Sequence, residues 1–217
     1  QQNNYSLKTL HRLIATSMTY RQSSASRPDA LGRDRDNRLL WRFAPKRLEG
    51  EAVRDSLLQA AGMLNTQQSG PSYEDVKEIH FNAGRYYHPI EVKGPKFDRR
   101  TIYRFSPRGE RDAILDTFDC PDPSATAPTR AVTTTPLQAL SLSNNVFVWR
   151  MADGLANRVR KEAGEAPFGQ ERRAWQLSLG RDPDETERSQ ATAMIAKHGL
   201  PSLCRALFNS SEFVVIE

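Results

Sequence analysis

The sequence predicts a mainly α protein: an irregular multi-helix domain with long loops and at most a small β element. Apolar residues recur at helical spacing in several segments, which is typical of helices that bury one face. Helix-starting residues precede several of these segments, most clearly at Thr135-Pro136. Polar stretches with proline and glycine separate the segments, and residues 120–128, with three prolines, predict a loop.

Residues 1–65 are predicted to form a helical pair. Ser6 can cap the first helix, whereas Pro45 can begin the second, which should end near Gly62. One apolar stripe of the first helix is expected to carry Leu7, Leu10, Ile14 and Met18. The buried side of the second helix is expected to carry Leu48, Ala52, Leu57, Ala60, Ala61 and Leu64.

Residues 66–130 are predicted to be irregular and rich in loops. Residues 73–94 have no clean period, which indicates irregular structure or short strands. Side chains of different character alternate along residues 99–105, which predicts a strand, and residues 110–118 predict a short helix. The β content of the fold is therefore expected in this part of the chain.

Residues 131–217 are predicted to be helical. Thr135-Pro136 should begin a long helix that runs to about Arg160 and contains the pair Asn144-Asn145. Its expected buried positions are Leu137, Leu140, Val148, Met151, Leu155 and Val159. Further helices are expected over residues 171–179, from a cap at Asp182-Pro183 to about His198, and over residues 200–208. Together, the segments predict one mainly helical domain over residues 1–217.

The composition allows a core and is compatible with negatively charged partners. The chain has 217 residues, of which 38% are hydrophobic and 26% charged, and its formal net charge is +5. Acidic residues are interspersed, so the same balance is typical of a solvated surface with local ion pairs. Nucleic-acid modules usually have denser basic clusters or a signature motif, so no nucleic acid is expected. The longest apolar runs are far shorter than the roughly 18 residues of a membrane span, so none is expected.

The first candidate site surrounds the predicted helix start at Thr135. Main-chain N–H groups at a helix N-terminus favour an anion, and nearby hydroxyls and a guanidinium would suit sulfate, phosphate or uronate. The candidate residues are Asp119, Asp122, Arg130, Thr133, Thr134, Thr135 and Gln138. In the alternative interpretation, Thr135 only caps the helix, while Asp119 and Arg130 hold the loop in place.

Two further polar sets are candidates. Asn144 and Asn145 are poor helix formers, so they either cap, kink or bond a buried backbone group, or they offer a substrate-binding amide. A second set could hold sugar faces or nucleobases, or it could be plain structure in which guanidinium groups stack on aromatic rings. That set consists of Trp41, Arg42, Arg99, Arg100, Tyr103 and Arg104.

The sequence contains no motif for a metal, a covalent haem or an activated nucleophile. Cys120 and Cys204 lie in neither CxxC nor CxxCH, so no cofactor is expected within this chain. The four histidines include no pair at metal-ligand spacing, although His80 and His88 could meet in space. A nucleophile elbow and a P-loop are absent as well. Catalytic residues therefore stay unidentified.

Many short motifs, in order along nearly the whole chain, resemble those of one family. Examples are SLKTLHRLIATSMTYRQSS at residues 6–24, RRTIYRFSPRGERDAILDTFDCPDPSATAPTRAVTTTPLQALSLSNNVFV at residues 99–148 and LCRALFNSSEFVVIE at residues 203–217. The family is an uncharacterised domain found toward the C-terminus of large secreted proteins of planctomycetes and related bacteria. There it typically follows a c-type cytochrome-like domain and a second cytochrome-associated domain.

The resemblance implies an extracytoplasmic setting, periplasmic or secreted. It implies that this chain is the C-terminal portion of a larger multidomain protein, whose other domains or chains are its partners. Haem c would then be bound in the adjacent domains and not in this chain. The resemblance supplies no catalytic residue.

Two functions from different classes follow as hypotheses. The first is a non-catalytic helical module that packs on the cytochrome-like domains and binds an anionic partner, such as an acidic or sulfated polysaccharide. The alternative is an enzyme domain that oxidises or hydrolyses a polysaccharide-derived substrate, with electron transfer to an adjacent haem domain. Its pocket would be lined by Asp119, Arg130, Gln138, Asn144 and residues 80–88. A deep pocket holding several of these side chains unpaired would favour the enzyme, whereas internal hydrogen bonds would favour the module.

Overall fold

A computed structural model describes residues 5–164 and 166–216 and has mainly helical secondary structure. In these residues the β structure consists of two antiparallel sheets of two strands each, apart from isolated bridges. The predicted mainly α class with a small β element is therefore confirmed. The described helices include none that combines the length and apolar character needed to cross a membrane.

The chain divides into two compact units. The first comprises Gln1–Arg47 with Val215–Glu217, and the second comprises Leu48–Val214. The one-domain organisation over residues 1–217 stays a prediction.

Among its described residues, the first unit contains two short helices and a two-stranded sheet. Helix α1 begins as predicted after Ser6, whose Oγ accepts a hydrogen bond from the N–H of Thr9 at 3.3 Å. The elements are α1 (Leu7–Thr16), α2 (Pro28–Arg33) and β1 (Lys46–Arg47), which pairs antiparallel with β4 (Val215–Ile216).

The second unit contains the remaining helices and a β-hairpin. Its helices are α3 (Gly50–Ala60), α4 (Ala113–Thr117), α5 (Pro136–Asn144), α6 (Val146–Ala163), α7 (Pro167–Leu179), α8 (Glu185–His198) and α9 (Leu200–Phe208). Its strands are β2 (Val76–Phe81) and β3 (Gly84–Pro89), and short 3₁₀ turns lie at Thr101–Tyr103 and Glu212–Val214.

The predicted start of the second helix at Pro45 is wrong. Residues 46–47 pair with the C-terminal strand instead, and α3 begins only at Gly50. A Cβ on Gly50 would lie 3.1 Å from the carbonyl oxygen of Leu115, so glycine lets the helix start close to α4. The predicted positions that are buried are Leu57, Ala60 and Ala61, whereas Leu48, Ala52 and Leu64 are half-buried.

Residues 99–105 do not form the predicted strand. They form a 3₁₀ turn at Thr101–Tyr103, with single β-bridges at Arg99 and Arg104 on either side of it. The polar ends of Arg99 and Arg104 bond inside the protein, which fixes the segment as a turn. The β-hairpin of the second unit lies within residues 73–94, where short strands were one of the two expectations.

The predicted long helix from Thr135 to about Arg160 is broken at Asn145. This residue has an extended backbone (φ −72°, ψ 129°) and separates α5 from α6. The break rotates the two helices out of register, and Leu137 and Leu140 are therefore exposed, contrary to prediction. The positions confirmed as buried on α6 are Val148, Met151, Leu155 and Val159.

The core of the second unit is built on α6. Its buried residues recur at i, i+3, i+4, i+7 and face α9 and α7, while α8 packs on α9 and α7. Helix α9 has the predicted bounds, but α8 is capped by Asp184 and not by Asp182. Cys204 is buried on α9 and Cys120 is half-buried beyond α4, and both thiols are free.

Candidate functional site

The structure brings the predicted residues around Thr135 together. Asp119 follows α4 with a left-handed backbone (φ 60°), and its carboxylate accepts hydrogen bonds from the N–H of Thr133 at 2.7 Å and from its Oγ1 at 2.9 Å. Gln138, which is only 2% exposed, donates to the carbonyl of Thr117 at 3.1 Å and to Thr133 Oγ1 at 3.4 Å. Its Oε1 accepts the N–H of Thr135 at 3.3 Å. The loop is thereby bonded to the end of α4.

Arg130 of the same set is held by α3. Its guanidinium donates to both carboxylate oxygens of Glu51, at 2.7 and 2.6 Å, and lies 3.3 Å from Glu49. The bonds from Arg130 lower the pKa of Glu51 despite its partial burial, and in return they raise the pKa of Arg130. This bidentate pairing fixes the far end of the loop.

These bonds bear on the two interpretations of the cluster. The N–H groups of Thr133 and Thr135 and the guanidinium of Arg130 are bonded to side chains of the protein itself. That pattern matches the interpretation in which Asp119 and Arg130 hold the loop. Binding of an anion by Arg130, Thr133, Thr134, Thr135 and Gln138 stays a prediction.

The two asparagines have different environments. Asn145 caps α6, because its Oδ1 accepts the N–H of Phe147 at 2.8 Å. Asn144, the residue predicted to bind a ligand, is the last residue of α5 and lies exposed on the surface. Capping was one of the roles that the sequence left open, and the structure assigns it to Asn145.

The Arg and aromatic set divides between the two units. In the second unit, Arg99 stacks on Tyr103 at 4.2 Å and donates to the carbonyls of Pro71 and Ser69 at 2.8 and 2.7 Å. In the first unit, Arg42 lies 5.0 Å from the ring of Trp41. Arg99 has the structural role that the sequence left open as an alternative.

His80 and His88 do not meet. In the hairpin register, His80 faces Arg85 and His88 faces Lys77, so the two imidazoles project from opposite faces of the ribbon. In the part of the chain that the structure describes, no group of three or more His, Cys, Asp or Glu side chains could hold a metal ion.

A cavity of about 320 Å³ lies at the N-terminus of α6. Charged side chains line it, and three of them are Arg54, Arg104 and Arg150. Arg150 forms a bidentate pair with Asp98 at 2.7 and 3.0 Å, and Arg54 donates to the carbonyl of Phe97 at 2.9 Å. Arg54 and Arg150 thus bond the segment that follows the hairpin to α3 and α6.

None of the residues predicted for an enzyme pocket lines this cavity. The lining does include Asn145, which follows the predicted Asn144 in sequence, but its side chain caps α6. The guanidinium groups of Arg54 and Arg150 each lie 5.2 Å from the ring centroid of Phe147. Sequence reasoning missed this charged cluster, because its partners lie 43 to 52 residues apart along the chain.

Comparison with known proteins gives a family and no activity. A family model described as "Protein of unknown function (DUF1553)", named PSD1, matches residues 1–195. No curated protein and no solved structure matches the chain.

Proposed function

Since the chain belongs to the PSD1 family of proteins of unknown function, DUF1553, we propose that it is a non-catalytic helical module that packs on neighbouring domains. Those domains belong to an extracytoplasmic multidomain protein of planctomycete type that also carries cytochrome c-like domains. The setting rests on the resemblance of the motifs. The packing role rests on the surface of α1.

Helix α1 carries an apolar stripe that the described protein leaves uncovered. Leu7, Leu10, Leu13 and Ile14 follow helical spacing along one side and are between 49% and 68% exposed. Lys8 and Arg12 lie on the opposite side. A ten-residue helix is marginally stable alone, and its apolar stripe gains free energy only when another surface covers it. This uncovered stripe is the observation that carries the proposal.

The charge around α1 indicates the chemistry of the covering surface. Residues 5–28 contain Lys8, Arg12, Arg21 and Arg27 and no aspartate or glutamate. An apolar helix face bordered by acidic residues would match both the stripe and the positive charge. We propose such a face on an adjacent domain as the partner of α1.

The module is also proposed to bind an acidic or sulfated polysaccharide. The net charge of +5 supports a negatively charged ligand. The enzyme alternative receives less support, because Asp119 and Arg130 are bonded to other side chains of the protein and do not line the cavity at α6. By the criterion set from the sequence, this bonding favours the module.

The packing role can be tested by hydrogen exchange in the protein as its gene encodes it. We expect the amides of Leu7–Thr16 to be protected there, and we expect Leu10→Glu with Ile14→Glu to remove that protection. The matched control, Thr9→Glu with Thr16→Glu, adds the same charge on the polar side and should leave it unchanged. Rapid exchange of α1 in the wild-type protein, or equal exchange in both double variants, would contradict the proposal.

A further inference from the structure

We propose that one face of the β2–β3 hairpin is the surface that binds an acidic or sulfated oligosaccharide. This inference rests on the anionic glycan of the proposed function and gives it a location. We call this surface the outer hairpin face, defined by Lys77, Ile79 and Phe81 of β2 and by Gly84, Tyr86 and His88 of β3.

The opposite face of the hairpin packs on the protein through Tyr87, whereas His80 and Arg85 on it are exposed. The carboxylate of Glu78 forms an ion pair with Arg85 at 3.4 Å and lies 3.2 Å from the imidazole of His80. Tyr87 packs edge-on against Phe105 with a centroid distance of 6.0 Å. Through Tyr87, this face attaches the hairpin to the rest of the second unit.

The outer hairpin face presents apolar side chains to solvent. Phe81 is 64% exposed and Tyr86 is 52% exposed, and Ile79 lies opposite Tyr86. The ring of Tyr86 extends over Gly84, where an added Cβ would lie 3.0 Å from the ring. Glycine thus leaves room for the tyrosine to lie along the ribbon, beside the strand that carries Phe81.

The same face carries positive charge without an acidic residue. Lys77 and His88 face each other across the strands, both are exposed, and none of the six positions is aspartate or glutamate. Lysine binds carboxylate and sulfate groups as a point charge, and an imidazole donates hydrogen bonds and is cationic when protonated. In contrast to Arg85 on the other face, Lys77 has no acidic partner among the described residues.

This combination suits a charged sugar chain. Same-face positions recur about every 7 Å along a strand, so the aromatic rings and the pair formed by Lys77 and His88 occupy successive rows on a narrow ribbon. The C–H faces of sugar rings can lie on Phe81 and Tyr86, and their uronate or sulfate groups can reach Lys77 and His88. A purely apolar partner would instead leave the lysine charge without a counterpart.

The test is calorimetric titration of the whole chain with a heparin-derived oligosaccharide and with oligogalacturonate. We expect binding to one of them, with an affinity that falls as salt rises. Phe81→Ala and Lys77→Gln should each weaken binding by about tenfold, as for other exposed stacking and charge contacts. Arg85→Gln, the matched control on the opposite face, should bind within about twofold of wild type.

Each outcome has a defined meaning. Wild-type affinity in both Phe81→Ala and Lys77→Gln would overturn the assignment of this face, but the proposal of an anionic glycan as the ligand would stand. Both the assignment of this face and the anionic glycan ligand would be overturned if the wild-type chain did not bind, or if it bound neutral dextran equally well. Binding only to single-stranded oligonucleotides or to anionic vesicles would overturn both as well. The variant with both Leu10→Glu and Ile14→Glu should bind the oligosaccharide as the wild-type chain does. A failure of the glycan proposal therefore leaves the proposed packing role of α1 unaffected. Circular dichroism of each variant checks that the hairpin variants fold.

Discussion

Arg104 lies in the most buried charge cluster of the described chain. Its guanidinium donates to Asp75 at 2.8 Å and to Glu110 at 3.0 Å, and the side chains of Arg104 and Glu110 are 4% and 3% exposed. Burial alone would lower the pKa of Arg104, but the hydrogen bond and charge of Asp75 outweigh it and raise the pKa. The arginine therefore stays charged and holds two carboxylates in the interior.

Arg104→Met is expected to lower the free energy of unfolding by about 3–5 kcal/mol, because it leaves the two carboxylates buried without a cation. Urea unfolding at neutral pH measures the change. Arg111→Met is the control, since Arg111 is 54% exposed in its ion pairs with Asp116 and Asp122, and it should leave the free energy of unfolding nearly unchanged. Equal losses in the two variants would contradict the buried role.

Through Glu51, the free energy of unfolding depends on pH in the acidic range. Its pKa in the folded protein is lowered by the bonds from Arg130, so its contribution is present above the pKa of an unfolded glutamate, about 4.3. That contribution is lost as the pH falls through the lower folded pKa. Both side chains are about one-third exposed, so solvent screening keeps the contribution below about 1 kcal/mol.

Glu51→Gln should therefore destabilise the chain slightly at pH 7, and the difference from wild type should shrink below about pH 4. Chemical unfolding at a series of pH values measures both. Glu185→Gln, at a side chain that is 95% exposed, should show almost no difference at any pH. A difference for Glu51→Gln that is independent of pH would show that the carboxylate charge is not its source.

At the scale of elements, α6 begins with a side-chain cap at the break that follows α5. Asn145→Ala removes the cap on the N–H of Phe147 and is expected to cost about 1 kcal/mol of unfolding free energy. Asn144→Ala is a matched control at the adjacent exposed position and should stay within about 0.5 kcal/mol. Thermal and urea unfolding of the two variants compare them. Equal effects would mean that the cap does not stabilise α6.

Elements with local signals were predictable, and elements fixed by distant partners were not. Ser6 begins α1 through its own side chain, and Gly199 precedes α9 through its own backbone conformation. The starts of both helices therefore follow directly from the sequence. Residues 99–105 alternate like a strand, but Arg99 bonds to carbonyls about 30 residues away and the segment turns instead. Local periodicity carries no information about such partners.

The candidate site follows the same division. The grouping of Asp119, Thr133 and Gln138 was predictable, because a loop that returns to a helix start places them close together. Their mutual bonds, and the pairing of Arg130 with Glu51 across 79 residues, required the structure. The outer hairpin face was missed because residues 73–94 lack a clean period, so strand register could not be assigned.

Across the whole molecule, stability is concentrated in the helical core of the second unit. Leu155→Ala, at a fully buried position on α6, should cost about 2–5 kcal/mol. Leu10→Ala, on the uncovered stripe of α1, should change the unfolding free energy of the isolated chain by less than about 0.5 kcal/mol. Urea unfolding of the isolated chain compares the two. A large loss for Leu10→Ala would show that the stripe is already covered within the chain.

The buried thiol on α9 has a practical consequence for measuring this core. Burial raises the pKa of Cys204 to about 12 and that of the half-buried Cys120 to about 11. The thiolate is the nucleophile that attacks an alkylating reagent, so Cys204 should react at neutral pH only in molecules whose last helix, α9, has detached. The rate at which iodoacetamide modifies Cys204, followed separately from Cys120, would then report how often that detachment occurs, without any introduced label.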